Sequence, residues 1–368
     1  MERESLLELI ILGAVAGEHL LVIGPPGTAK SEAVRRISRR LDAEYFEYLL
    51  GRFTEPGEIF GPVDLVKLKE GSVETRTQGM LPEAQFAFLD EVFLGSTPIL
   101  NTLLGILNER VYRRGHTFMN CPLRICVGAS NRLPEDDSLA AFSDRFLLRV
   151  FLNAVPDPLI EELLENGWSL QSANPGEREA STEGMAKVED LDFLAAVARG
   201  MDLAPLRDVI GGAIRLLRSA GIFPSDRRIV KSQRLMAAAA ALDGRTEILQ
   251  KDLWPLIFAL PGPEEQETGR EVLADLLSES ENRSLPAAAE EASHGPRARA
   301  ARLLELGRVL LENFRNREEE PIFPEARLKL EGFLRELDAG LSPEQMPEEL
   351  TRLRSEAAGI IGDADEKD

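Results

Sequence analysis

The sequence predicts an α/β protein: a parallel sheet flanked by helices, then an all-helical domain, then further C-terminal helices. Three observations carry this expectation. Short apolar strands alternate with amphipathic helical stretches over residues 20–152, the pattern of a parallel sheet with crossover helices. Residues 157–260 keep only helical periodicity, with apolar stripes over 191–199, 209–219 and 230–242. The first strand also runs straight into a Gly-rich turn, Gly24-Pro25-Pro26-Gly27-Thr28-Ala29-Lys30-Ser31.

The elements follow in order. Residues 6–16 place Leu6, Leu9, Ile10 and Gly13 at helical spacing, and are expected to pack on the first domain. Glu2, Glu4 and Glu8 stand where a signal peptide would carry basic residues. The run is also too short to span a bilayer. Strands are expected at 20–23, 45–49, 86–89, 124–129 and 146–151. Residues 63–75 hold two alternating segments around Glu70-Gly71-Ser72, which read as an inserted β-hairpin. A second hairpin is expected over 110–118. Pro261-Gly262-Pro263 breaks the helical pattern, and the polar stretch 278–296, rich in Glu, Ser and Ala, reads as a linker. Helical stripes return at Leu303/Leu306/Leu310/Phe314, Leu330/Phe333/Leu334/Leu337 and Leu350/Leu353/Ala357/Ile360. They either fold back on the helical domain or pair with a partner. Residues 362–368 read as a frayed acidic end. The expected domains are an α/β domain at 1–155, a helical domain at 156–262, a linker at 263–300 and a C-terminal helical segment at 301–368.

Composition narrows the function. The chain has 368 residues, 43% of them hydrophobic, and a formal net charge of −20. This is ample for buried cores. A duplex-tracking protein carries a basic footprint, so the acidic balance argues against nucleic acid as the main substrate. The two cysteines, Cys121 and Cys126, read as free thiols of a reducing cytosol. The three histidines are far apart in sequence and suggest no zinc site. A cytoplasmic protein without a membrane span is expected.

The Gly-rich turn would present backbone N–H groups and a helix N-terminus to a polyphosphate. Gly24, Pro26, Gly27, Thr28 and Ala29 shape the turn; Lys30 would reach the β- and γ-phosphates and the Ser31 hydroxyl would ligate Mg²⁺. Ala29 stands where the pattern asks for glycine, which is acceptable in a right-handed helical conformation. About sixty residues on, Phe86-Ala87-Phe88-Leu89-Asp90-Glu91 is an apolar strand ending in two carboxylates. Parallel strands deliver their C-terminal ends to one edge. Asp90 would therefore hold Mg²⁺ through its water shell, and Glu91 would orient and polarise an attacking water. The residues predict binding and hydrolysis of a nucleoside triphosphate.

Further segments complete a family resemblance over residues 6–260. They are Phe53-Thr54-Glu55-Pro56-Gly57-Glu58-Ile59-Phe60-Gly61-Pro62, Gly79-Met80-Leu81-Pro82-Glu83-Ala84, Leu100-Asn101-Thr102-Leu103-Leu104 with Asn108-Glu109-Arg110, Ala129-Ser130-Asn131, Ser143-Asp144-Arg145-Phe146 and Ser225-Asp226-Arg227-Arg228. Together with the two motifs above, they resemble the MoxR-type AAA+ ATPases, in wording closest to the RavA-like branch. Ala29 is a habit of that family. The resemblance implies an ATP- and Mg²⁺-dependent P-loop fold with hairpin insertions and a helical lid. It implies Asn131 as the sensor that helps place the hydrolytic water, a task suited to an amide that both donates and accepts. It also implies Arg145 as an arginine finger reaching into the neighbouring subunit, and Arg227 as the lid sensor, with Arg228 the close second. A finger acting between subunits implies a ring, and the family implies a hexamer.

The resemblance further implies chaperone-like remodelling of a client, usually with a von Willebrand factor A-domain partner. In related motors the hairpins face the pore or the substrate, which would put Arg113, Arg114 and His116 there. Residues 278–368 show no strand pattern matching the β-rich insertion of RavA-like proteins, so their decarboxylase partner is not carried over. The competing expectations are a nucleic-acid translocase or helicase, a magnesium-chelatase-like metal-insertion motor, and a slowly hydrolysing nucleotide-gated scaffold.

Overall fold

Five short apolar strands can lie parallel only if helices carry the chain back across the sheet each time, and this is the arrangement found. The computed structural model describes residues 4–28, 30–152, 164, 186–294, 296–315, 324–341 and 346–365. In chain order the strands are β1 (His19–Ile23), β2 (Tyr45–Leu49), β3 (Phe86–Asp90), the hairpin pair β4 (Val111–Arg114) and β5 (Thr117–Asn120), β6 (Ile125–Ser130) and β7 (Phe146–Phe151). The main sheet has the order β2-β3-β6-β1-β7 and every pairing in it is parallel. β1 and β6 are buried along their whole length, as expected of strands covered on both faces.

The helices of this domain are α1 (Glu4–Ala16), α2 (Lys30–Arg40), the short α3 (Pro56–Phe60) and α4 (Leu65–Lys69), α5 (Thr97–Glu109) and α6 (Asp137–Ser143). One face of the sheet packs Leu9, Ile10, Val34 and Ile37 of α1 and α2 on Leu20, Val22, Phe88 and Val127. On the other face Leu103, Ile106 and Tyr112 cover Leu21, Leu89 and Cys126. Both cysteines are free and buried.

The predicted hairpin over 110–118 is present, shifted slightly: β4 and β5 pair antiparallel from Val111↔Asn120 to Arg114↔Thr117. The hairpin predicted at 63–75 is different. Its arms touch at the single bridge Val63↔Thr75, and Leu65–Lys69 between them is the helix α4. Asp64 is the cause, because its Oδ1 accepts from Val66 N–H at 2.8 Å and Lys67 N–H at 3.1 Å. That N-cap outweighs the period-2 pattern. The two insertions are joined: His116 N–H donates to Val73 O at 2.8 Å, His116 Nδ1 accepts from Val73 N–H, and Thr117 Oγ1 accepts from Thr75 N–H.

Beyond the sheet, α7 (Val188–Gly200), α8 (Arg207–Ser219) and α9 (Asp226–Leu242) form the helical layer. The remainder of the expected helical stretch between 153 and 185 lies outside the described residues, Leu164 apart. Residues 263–300 are not a linker. They form the helices Pro263–Val272, Ala274–Leu277 and Pro286–Ser293, and the chain turns into a fourth at Pro296. Leu273, Leu277, Leu285, Ala288 and Ala289 are buried in the same core as α1 and α9. Small alanines made this segment look like low-complexity spacer, whereas they permit the close approach of two helices. Glu8 on α1 completes the contact by accepting from the N–H groups of Ala288 (2.7 Å) and Ala287 (3.3 Å).

The last helices, Pro296–Arg315, Pro324–Gly340 and Glu348–Asp365, close on a core of their own around Leu303, Leu311, Leu330, Phe333, Leu337 and Leu350. They fold on each other. The final helix runs on through residues 362–365, where a frayed end was expected.

Candidate active site

The loop after β1 is fixed by its strand neighbours. Gly24 N–H donates to Ser130 O at 3.1 Å, and Leu152 N–H donates to Ile23 O at 2.7 Å, so β6, β1 and β7 stay zipped up to the turn. A Cβ at Gly24 would lie 2.5 Å from the Leu152 carbonyl oxygen, hence glycine there. Gly27 takes φ +79°, a conformation that costs any other residue. The Thr28 hydroxyl donates to Pro25 O at 3.0 Å. Lys30 opens α2 and is buried; its Nζ donates to Gly24 O at 2.7 Å and Pro25 O at 3.2 Å. The ammonium is thus held inside the turn. Pro25, Pro26 and Gly27 are exposed around it and Ser31 is half-buried in the first turn of α2. Ala29 lies outside the described residues.

β3 stands one strand away from β1, with β6 between them. This order brings the ends of β1, β3 and β6 to one edge, so Asp90, Glu91 and Asn131 gather beside the loop. Glu91 N–H donates to Asp90 Oδ1 at 3.0 Å, and Leu50 N–H anchors the Asp90 carbonyl at 2.9 Å. Glu91 adopts φ 48°, ψ 45°, a left-handed conformation that is costly for a glutamate and concentrates at functional sites. Asn131 Nδ2 donates to Glu91 Oε1 at 2.7 Å. The amide therefore fixes the rotamer of the carboxylate.

The three arginines of the sequence motifs lie elsewhere. β7 runs parallel to β1 with His19↔Phe146 and Ile23↔Phe151 in register. Arg145 consequently sits where β1 begins and the phosphate loop sits where it ends, separated by roughly 16 Å of strand. Its Nε is buried with no hydrogen-bond partner. Asp144 beside it does not pair with Arg145; it accepts from Arg228 Nε at 2.7 Å. Arg228 is fully buried and also donates to the carbonyls of Phe146, Leu147 and Ala259. It locks α9 to β7 and is structural. Arg227 is free of that lock: it donates through Nη2 to Asn108 Oδ1 at the end of α5, where the neighbouring Leu107 carbonyl meets His19 at the start of β1, and its Nε is buried with no partner. Sequence alone could not choose between consecutive arginines; Ser225, whose hydroxyl caps α9 by accepting from Arg228 N–H, sets the phase that separates them. His116, expected at the substrate face, is engaged with Val73, while Arg113 lies over the Phe118 ring, 5.2 Å from its centroid.

These donors fit Mg²⁺ and a triphosphate. An ammonium, a helix-start hydroxyl and a strand-end carboxylate converge on one Gly-rich turn. Among the described residues no group of three or more His, Cys, Asp or Glu could hold a metal alone. A divalent ion here would take most of its ligands from phosphate and water.

Comparison with known proteins agrees with this geometry. A family model described as the MoxR domain of MoxR–vWA–β-propeller ternary systems matches residues 1–194, and an AAA lid-domain model matches residues 206–272. Two uncharacterized proteins of Methanocaldococcus jannaschii are 37% and 35% identical over 254 residues, 69% of this chain in each case. The chain spans 66% and 64% of their lengths. A crystal structure from Cytophaga hutchinsonii, assigned as an ATPase, superposes with a TM-score of 0.58 at 18% identity, covering 76% of this chain and 90% of its own; it supports the fold. No described helix is long and apolar enough to cross a membrane.

Proposed function

Since the chain belongs to the MoxR family of AAA+ ATPases, we propose that it hydrolyses Mg²⁺-ATP at sites shared between the subunits of a ring, and that the ring remodels a partner protein. The observation that carries the reading is the separation within one chain: Lys30, Asp90, Glu91 and Asn131 at one end of the sheet, Arg145 and Arg227 at the other. Neither arginine reaches its own loop, which supports a role for both at a neighbour's loop.

In this reading Lys30 leaves the loop carbonyls for the β- and γ-phosphates. The backbone N–H groups of the turn bind the same oxygens. Mg²⁺, held through Ser31 Oγ and the Asp90 shell, would neutralise charge on those phosphates. Glu91, oriented by Asn131, accepts a proton from the attacking water. The neighbour's Arg145 and Arg227 offset the charge that grows on the γ-phosphate; a finger of this type is worth about 10³–10⁵ in rate.

The partners follow from the family description. The matching model belongs to systems that include a vWA protein and a β-propeller protein, and a vWA-domain protein is the proposed partner. Motif wording leans to the RavA-like branch, but the partner choice follows the matching model. The joined insertions, with Leu65, Val66, Leu68 and Phe118 exposed, are the proposed surface for the client, and six copies are the proposed ring. The test is ATPase rate per chain against protein concentration. A cooperative rise that Arg145→Ala removes supports the shared site. A rate independent of concentration and unchanged in Arg145→Ala contradicts it.

A further inference from the structure

We propose that the cavity beside Arg110 binds a compact phosphate-bearing anion, at a site separate from the phosphate loop, and so ties α7 to the sheet. The cavity, about 280 Å³, opens between the C-terminus of α1, the segment leading into β6, and α7. That volume leaves room for a pyrophosphate-sized group. It lies next to Gly17, where β1 begins, at the opposite end of the strand from Gly24.

Three arginines are among its lining residues: Arg110, Arg124 and Arg199. Arg110 ends α5 in the left-handed conformation, φ 56°. It donates to the carbonyls of Leu107 (3.0 Å), Gly17 (2.7 Å) and Arg124 (3.4 Å) and touches His19. Its hydrogen bonds reach partial charges and no carboxylate. The nearby Glu18 carboxylate is engaged instead by Lys231 and Arg234. Burial holds the Arg110 guanidinium below its usual range, opposed in part by the Glu18 carboxylate. The terminal nitrogens of Arg124 pair with Asp192 of α7, while its Nε is buried with no partner. Arg199, about two turns of helix beyond Asp192, stands exposed at the rim.

Three arginines thus line one cavity, with Asp192 paired to Arg124 and Glu18 near Arg110 but paired to Lys231 and Arg234, in a chain whose net charge is −20. Arg110 spends its terminal nitrogens on neutral carbonyls, acceptors that charged phosphate oxygens can outcompete, and Arg199 at the rim adds a second fork. Such a ligand would add bonds across the seam that Arg124–Asp192 already bridges. The inference is independent of ATP hydrolysis.

The test is pyrophosphate titrated into the Lys30→Ala protein, whose phosphate loop lacks its ammonium, read by melting temperature and by amide exchange. The expected result is a saturable rise in melting temperature, with exchange slowed over residues 121–126 and 192–199. Adding Arg199→Glu or Arg124→Gln to that protein weakens the effect roughly tenfold or more, the loss of a charge-assisted hydrogen bond. Arg199 is exposed on a helix, so its replacement keeps the fold if Arg124→Gln does not. No saturable response in Lys30→Ala, protection confined to residues 24–31, or an unchanged response in Arg199→Glu overturns the proposal.

Discussion

Glu91 occupies a left-handed backbone position and its carboxylate is held by Asn131, so the two residues act as one device. Replacing Glu91 by Gln keeps the shape and removes the proposed base. Turnover should fall by about 10²–10⁴ while ATP affinity is retained. Asn131→Ala releases the carboxylate and should cost about 10–100-fold, the worth of a hydrogen bond to a charged group. Because the amide acts through Glu91, the double variant should be no slower than Glu91→Gln, a non-additivity that single-turnover rates would reveal. Multiplicative losses would separate the two roles. The loop and the Asp90-Glu91 pair were legible in sequence because each chemistry demands particular residue types at fixed places on a strand end. The choice between Arg227 and Arg228 was not, since neighbouring residues on a helix differ only in phase and phase depends on the cap.

That phase has an element-scale consequence. Arg228 joins α9 to Asp144 and to the carbonyls of Phe146, Leu147 and Ala259. Arg228→Ala should therefore destabilise the protein by about 3–5 kcal/mol, the cost of leaving buried partners unmatched. Arg227→Ala should change stability by no more than about 0.5 kcal/mol and lower ATPase activity instead. Denaturant midpoints and initial rates for the pair distinguish these outcomes.

A second prediction belongs to the contact between α1 and Pro286–Ser293. Burial pushes the Glu8 carboxyl up from 4.5 to about 8, opposed in part by the N–H groups of Ala288 and Ala287. The folded state therefore keeps a proton that the unfolded chain releases, and Glu8 contributes stability below pH 4.5 that is lost as pH rises to about 8. Relative to Glu8→Gln, which keeps an acceptor and cannot ionise, the wild-type melting temperature should fall across that window. A constant difference between the two proteins would contradict the assignment.

Two of the elements that differ from the sequence expectation have local causes. At 63–75 the Asp64 cap turned an alternating run into α4, and at 286–293 alanine burial was mistaken for polar spacer.

At the scale of the whole molecule, the sheet order decides the architecture of the site. β6 lies between β1 and β3, and β7 places Arg145 at the far end of β1. The strands themselves were legible from their apolar runs. Their order was not, because periodicity says nothing about which strands are neighbours. On the proposed shared-site reading, each chain holds two halves of different sites, one at either end of its sheet.

Mixing two inactive variants tests this directly. Lys30→Ala keeps its arginines but loses its own loop, and Arg145→Ala keeps its loop but loses its finger. If the site is shared, an equimolar mixture should hydrolyse ATP at interfaces pairing an intact loop with an intact Arg145, well above the sum of the separate rates. A mixture no faster than that sum, formed under conditions where the two variants co-assemble, would contradict the account.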